Sequence, residues 1–169
     1  ALWKEDIREF KILASLLQPV GGFSSRKAEQ WVKEIPYLEI AEQCSHNLFY
    51  RLPDVEDLLF GLLANVEDEY ARTVGFLVSV ELLKRKKKLS EQVKALIFVE
   101  SLRSLARPNF GASFKEKQAA LNALKFYGRL SAEKAQLILE SFDAFPEFMK
   151  TPEGREIYND LKFEFESCR

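Results

Sequence analysis

Glu39 and Glu42 lie three residues apart in a helical stretch, so their carboxylates project from neighbouring faces and crowd each other enough to raise one pKa. A solvated helix face is the plainer reading of the same pair. Asn47 follows one turn later among apolar residues and is placed to hydrogen-bond inward. His46 stands two positions from Cys44 and reads as a surface or capping histidine. Two cysteines far apart, Cys44 and Cys168, with one histidine compose neither a zinc ligand set nor a disulfide scaffold. We therefore expect no metal, no cofactor and a reducing, cytoplasmic setting. The chain holds no Gly-rich phosphate loop, no His-Glu metalloprotease motif and no nucleophile elbow, which removes most reaction classes.

Charge offers a different chemistry. The net charge is −1 over 169 residues, yet residues 84–127 carry eleven basic and three acidic side chains, or +8. Residues 54–70 hold six acids and no base, and residues 130–169 sum to −4. One stretch is thus a candidate anion-binding face with acidic flanks. Its densest part, Lys84, Arg85, Lys86, Lys87 and Lys88, has a simpler reading as a helix end whose cations complement the C-terminal dipole.

The elements that must position these residues are helical. Trp3, Ile7, Phe10, Leu13 and Leu17 recur at intervals of three and four and predict one apolar stripe, with Trp3 and Trp31 in the core. Pro19, Pro36 and Pro53 cut the first third into short helices. Ser24 or Ser25 and Asp54 read as helix caps, and a longer helix is expected over 67–88. Ser90 starts another, broken at Pro108, Asn109 and Gly111. Ser113 and Glu116 form a capping box, Gly128 reads as a C-cap, Ser131 opens a further helix, and Thr151 with Pro152 opens the last. Eight or nine helices with short joints predict stacked antiparallel hairpins in one domain, 1–169. No uncharged run approaches the roughly 18 residues of a membrane span. The chain opens inside a helical pattern without an initiator Met, and we expect residues upstream of Ala1.

The first 50 residues carry a recognisable pattern. Ala1-Leu2-Trp3, Ile7, Glu9, Lys11 and Leu13-Ala14, then Trp31, then Glu42-Gln43-Cys44 with Asn47-Leu48-Phe49, resemble the bacterial DNA alkylation repair family, the AlkD-like HEAT-repeat DNA glycosylases. Glu69-Tyr70-Ala71-Arg72 with Gly75-Phe76, and the stretch 113–128, extend the resemblance to about residue 128, while 129–169 fall outside it.

The resemblance implies an all-α superhelix of HEAT-like antiparallel hairpins that binds duplex DNA by its phosphates, as a monomer, with Arg72, Lys84, Arg85, Lys86, Lys115, Lys117 and Lys125 as DNA contacts. In active members a Trp-Asp-x-x-Asp segment, an Arg and a second Trp hold the cationic base and stabilise the oxocarbenium ion. The matching positions here are Leu38, Glu42, Thr73 and Asn122, with Arg72 beside Thr73 and Glu39 as a reserve carboxylate. The aromatic cage is replaced, so any excision of alkylated bases rests on Glu42. The competing expectation is a non-catalytic HEAT scaffold that binds a protein partner.

Overall fold

A computed structural model describes residues 1–107 and 111–167. Among the described residues every regular element is helical and no strand occurs, so the chain is all-α. Among the described residues no helix is long and apolar enough to cross a membrane. The helix break expected at Pro108 and Asn109, and the second cysteine, Cys168, lie outside the described residues. Gly111 sits at φ 76°, a left-handed backbone that favours glycine. Where the sequence predicts one domain, the chain divides into two compact units, Ala1–Leu89 and Ser90–Arg169.

The first unit starts with a 3-10 turn, Leu2–Lys4, followed by α1 (Arg8–Leu17), α2 (Ser25–Lys33), α3 (Leu38–Asn47), a second 3-10 turn (Phe49–Arg51), α4 (Val55–Ala64) and α5 (Ala71–Lys84). α1 packs on α3 and α3 on α5, while α2 packs on α4 and α4 closes onto α5. Helices thus alternate between two layers along the chain, the arrangement in which each hairpin buries the apolar face of its neighbour. Leu58, Leu59, Leu62 and Leu63 of α4 and Val74, Phe76 and Val78 of α5 fill the space between them.

Three local expectations are corrected here. Asp54 precedes α4 but does not cap it with its side chain; its Oδ2 accepts from the backbone N–H of Ser25, 2.9 Å away at the start of α2. Helix α5 is shorter than 67–88 because Asn65 Oδ1 accepts from the amides of Glu67 and Asp68, and Asp68 Oδ1 from those of Tyr70 and Ala71. These side chains offer the backbone a turn in place of a helix. The predicted stripe is also broken: Trp3 lies in the 3-10 turn, out of register with α1, and Ile7, Leu13 and Leu17 are exposed. Trp3 is nonetheless buried, stacked on Trp31 with ring centres 4.0 Å apart and planes 1° from parallel. Its indole N–H donates to Glu34 Oε2 at 2.6 Å.

The second unit comprises α6 (Glu91–Ala106), α7 (Phe114–Gly128), α8 (Ala132–Ser141), a 3-10 turn (Phe142–Ala144), α9 (Pro146–Lys150) and α10 (Pro152–Ser167). α7 lies against α6, α8 and α10. Ser90, Ser113 and Ser131 accept from the amides of Val93, Glu116 and Lys134 and start α6, α7 and α8 as their positions predict. Glu116, expected to complete a capping box, is buried and accepts from Ser104 Oγ of α6 at 2.6 Å. Gly128 is the last residue of α7 rather than its cap. A Cβ on it would run into the Phe165 ring of α10 and come within 3.1 Å of Ile138 Cδ1, so close packing explains the glycine.

Candidate nucleic-acid interface

The end of α5 holds the densest positive charge in the first unit. The helix closes with Lys86 N–H donating to Leu83 O and Lys87 N–H to Leu82 O, both at 3.0 Å. This is the paired 5→2 and 6→1 bonding of a Schellman turn, with Lys86 in the left-handed position at φ 52°. A lysine there costs about 1–2 kcal/mol relative to a right-handed residue. Buried Leu83 before the turn and buried Leu89 after it pin both ends, and residues 84–88 between them are all exposed. Lys84, Lys86, Lys87 and Lys88 form no ion pair among the described residues.

Arg85 is held differently. Its Nε donates to Glu81 Oε2 at 3.0 Å, and its guanidinium lies 4.4 Å from the Tyr50 ring centre. The other oxygen of Glu81 is 3.1 Å from His46 Nδ1. Burial pushes the Glu81 carboxyl upward, but the hydrogen bonds from His46 and Arg85 outweigh it and hold its pKa below the usual value. His46, expected at the surface, is exposed on its own ring and anchored through this carboxylate. The arrangement fixes Arg85 and Tyr50 beside a turn carrying four exposed ammonium groups, a pattern suited to phosphates and unsuited to acid–base catalysis.

The residues singled out for excision differ in exposure and are divided between the two units. Glu42 is exposed on α3. Glu39 receives a fork from Arg8, with Nε at 2.7 Å from Oε2 and a terminal nitrogen on Oε1. That hydrogen bond lowers its pKa against a smaller opposing effect of burial. The crowding of Glu39 by Glu42 that the sequence suggests is thus overruled, in the opposite direction, by a cation 31 residues away. Leu38 is half-buried, and Thr73 is 1% exposed with its Oγ1 unpartnered among the described residues. Asn122 is exposed on α7, in the other unit. Cys44 is fully buried, and burial pushes its thiol up to about 12 despite the positive charge of Lys11, which leaves it unreactive. Among the described residues no group of three His, Cys, Asp or Glu side chains could hold a metal ion.

The basic residues expected to touch DNA also separate. Arg72 is 3% exposed; its guanidinium donates to Leu63 O and packs 5.6 Å from the Phe76 ring centre, tying α5 to α4 instead of facing solvent. On α7, Lys117 pairs with Glu153 and Lys125 with Asp160, each at 2.7 Å, and Arg129, just past the helix end, donates to Glu164 at 2.8 Å. Both partner sequences rise together, so α7 and α10 run parallel and are joined by a ladder of ion pairs. Lys115 is half-buried on the same helix. Lys117 also borders a pocket of about 380 Å³ whose rim includes Arg107, Glu147 and Glu153, a mixed-charge lining.

Sequence reasoning missed the cross-helix pairs of the first unit, Arg8 to Glu39 and His46 to Glu81; the inward bonding expected of Asn47 is made by its Nδ2 to Ser15 Oγ of α1 at 3.0 Å, beside a bond to Gln43 Oε1 of its own helix at 3.0 Å. The i,i+4 pairs Gln43–Asn47 and Glu81–Arg85 carried a local signal. Comparison of the chain with family models, curated proteins and solved structures returns no match.

Proposed function

We propose that this protein is a divergent relative of the DNA alkylation repair family that binds duplex DNA through its phosphate backbone and does not excise bases. The observation that carries the reading is the turn at residues 84–88, five exposed cations on a closed, anchored turn within a unit whose other charges sum to −6. Such a turn neutralises phosphates without reading base edges, so binding is independent of sequence and steeply dependent on salt. Against excision stands the exposure of Glu42: a carboxylate stabilises a developing oxocarbenium ion strongly only where water is excluded. Leu38 and Asn122, at the two Trp positions, supply no aromatic face for a cationic base.

The test is a salt series on a fluorescent duplex. Replacing Lys84, Lys86, Lys87 and Lys88 with Gln should flatten the slope of log K against log salt by about 3 to 4, near 0.9 per lost contact. An unchanged slope would overturn the reading. No affinity at any salt would favour the competing expectation, a non-catalytic scaffold for a protein partner. In parallel, release of 7-methylguanine or 3-methyladenine from methylated DNA should stay at the uncatalysed rate and be indifferent to Glu42→Gln; robust release lost in that variant would restore the catalytic assignment.

A further inference from the structure

The five cations of the turn are not alike. Four are lysines whose ammonium groups form no ion pair among the described residues, whereas the fifth, Arg85, is held in one orientation. Its Nε is fixed to Glu81 Oε2 at 3.0 Å, and its guanidinium lies over the half-buried Tyr50 ring, 4.4 Å from the ring centre. The anchor is itself held, since Glu81 is buried and engages His46 through its other oxygen. Arg85 nevertheless remains 40% exposed, and its terminal nitrogens donate to no group among the described residues. A guanidinium lying over a ring has one side against it and the other turned outward, so a flat cation is presented to solvent on an aromatic support.

Neutralising phosphates does not need such a device. An ammonium is a point charge on a flexible stem and meets a phosphate from many directions, as the four lysines can. A guanidinium set on a ring has its orientation fixed before any ligand arrives, and its outward side is planar and weakly hydrated. That surface matches a nucleobase, which stacks on arginine planes and on aromatic rings alike. Inside a continuous duplex both faces of each base are covered by its neighbours, and nothing there fits against the plane. We propose that Tyr50 and Arg85 form a stacking platform for an unpaired base, so that this site takes duplex DNA with a bulged or single-stranded nucleotide in preference to a continuous duplex. On the reading that the turn binds DNA, on which this assignment rests, the lysines neutralise the flanking phosphates while the platform takes the base. A base already unpaired is the ligand selected, because one drawn out of the helix must first lose its pairing and stacking.

Fluorescence anisotropy of the full chain with three labelled DNAs tests the platform: a continuous duplex, the same duplex with one bulged adenine, and the same bulge with an abasic tetrahydrofuran in place of the adenine. The bulged adenine should bind roughly tenfold more tightly than the duplex, and the abasic bulge should lose most of that gain. Arg85→Lys keeps the charge and removes the plane, so the ratio of adenine-bulge to duplex affinity should fall to near one. Tyr50→Leu removes the support beneath the plane and should lower the same ratio, with helical circular dichroism reporting the fold of each variant. Lys86→Gln with Lys87→Gln should instead weaken all three DNAs by one common factor. Equal binding of the three DNAs with a steep salt dependence would overturn the platform and leave the DNA reading standing, whereas no binding to any of them would overturn both. A preference that extends to the abasic bulge, or that survives in Arg85→Lys, would also overturn the platform.

Discussion

The turn at 84–88 and helix α7 carry the same kind of charge and use it in opposite ways. Lys117 and Lys125 of α7, and Arg129 just after it, each meet an acid of α10. At the turn, Lys84, Lys86, Lys87 and Lys88 meet none among the described residues. The stretch that sums to +8 thus combines an internal fastening with a surface open to anions. What decides between them is the neighbour: α7 is covered by an acidic helix, whereas the turn protrudes between two buried leucines. A charge tally along the chain measures how many cations exist, not how many remain to be neutralised.

The most disruptive way to break the contrast is to part α7 from α10. Gly128→Val places a branched side chain where the Phe165 ring already lies, and should cost about 1–3 kcal/mol by overpacking. Urea unfolding followed by helical circular dichroism reads the loss, and duplex affinity through the turn should persist wherever the protein is folded. Removing the acids alone sharpens the contrast instead. Glu153→Gln, Asp160→Asn and Glu164→Gln together remove the acids that face Lys117, Lys125 and Arg129, so duplex affinity at low salt should rise several-fold, with a stability loss of only about 1 kcal/mol because such partly exposed pairs contribute little. Unaltered affinity would mean that α7 is no latent anion site even when uncovered.

The smallest effect concerns Arg85, the cation of the turn that is tied down. The Glu81 carboxyl it pairs with titrates below its usual value of 4.5 in the fold, so its contribution is fully present above that pH and is lost as pH falls through the folded value. The acid-side decrease in melting temperature between about pH 5 and pH 3 should therefore be shallower in Glu81→Gln, by an amount equivalent to at most about 1 kcal/mol. A variant with the same slope as the parent would show that the His46, Glu81 and Arg85 cluster contributes nothing to folding.

Helix starts were legible because their chemistry is local: Ser24, Ser90, Ser113 and Ser131 each satisfy an amide three residues on. The face a helix turns inward was less so. Spacings of three and four define a stripe on α1, but they do not say whether that stripe meets α3 or water, and α1 buries Lys11, Ala14 and Ser15 instead. Gly128 illustrates the same limit, since glycine at a helix end marks a cap when the backbone turns left-handed and a packing gap when a ring lies beside it. The candidate site was the least legible part. Glu39 answers to Arg8, and Lys117 and Lys125 to acids 36 and 35 positions downstream, distances at which periodicity carries no information.

The stacked indoles have a spectroscopic consequence. Trp3 and Trp31 are the chain's only tryptophans, and both belong to the first unit. Excitation at the red edge therefore illuminates that unit alone, while the second is optically represented by Tyr127 and Tyr158. At 4.0 Å the two ring transitions couple, so the near-ultraviolet dichroism should contain a paired band that vanishes when either indole is replaced. An unfolding experiment recorded at the red edge would therefore follow the melting of the first unit alone, without a label on the protein.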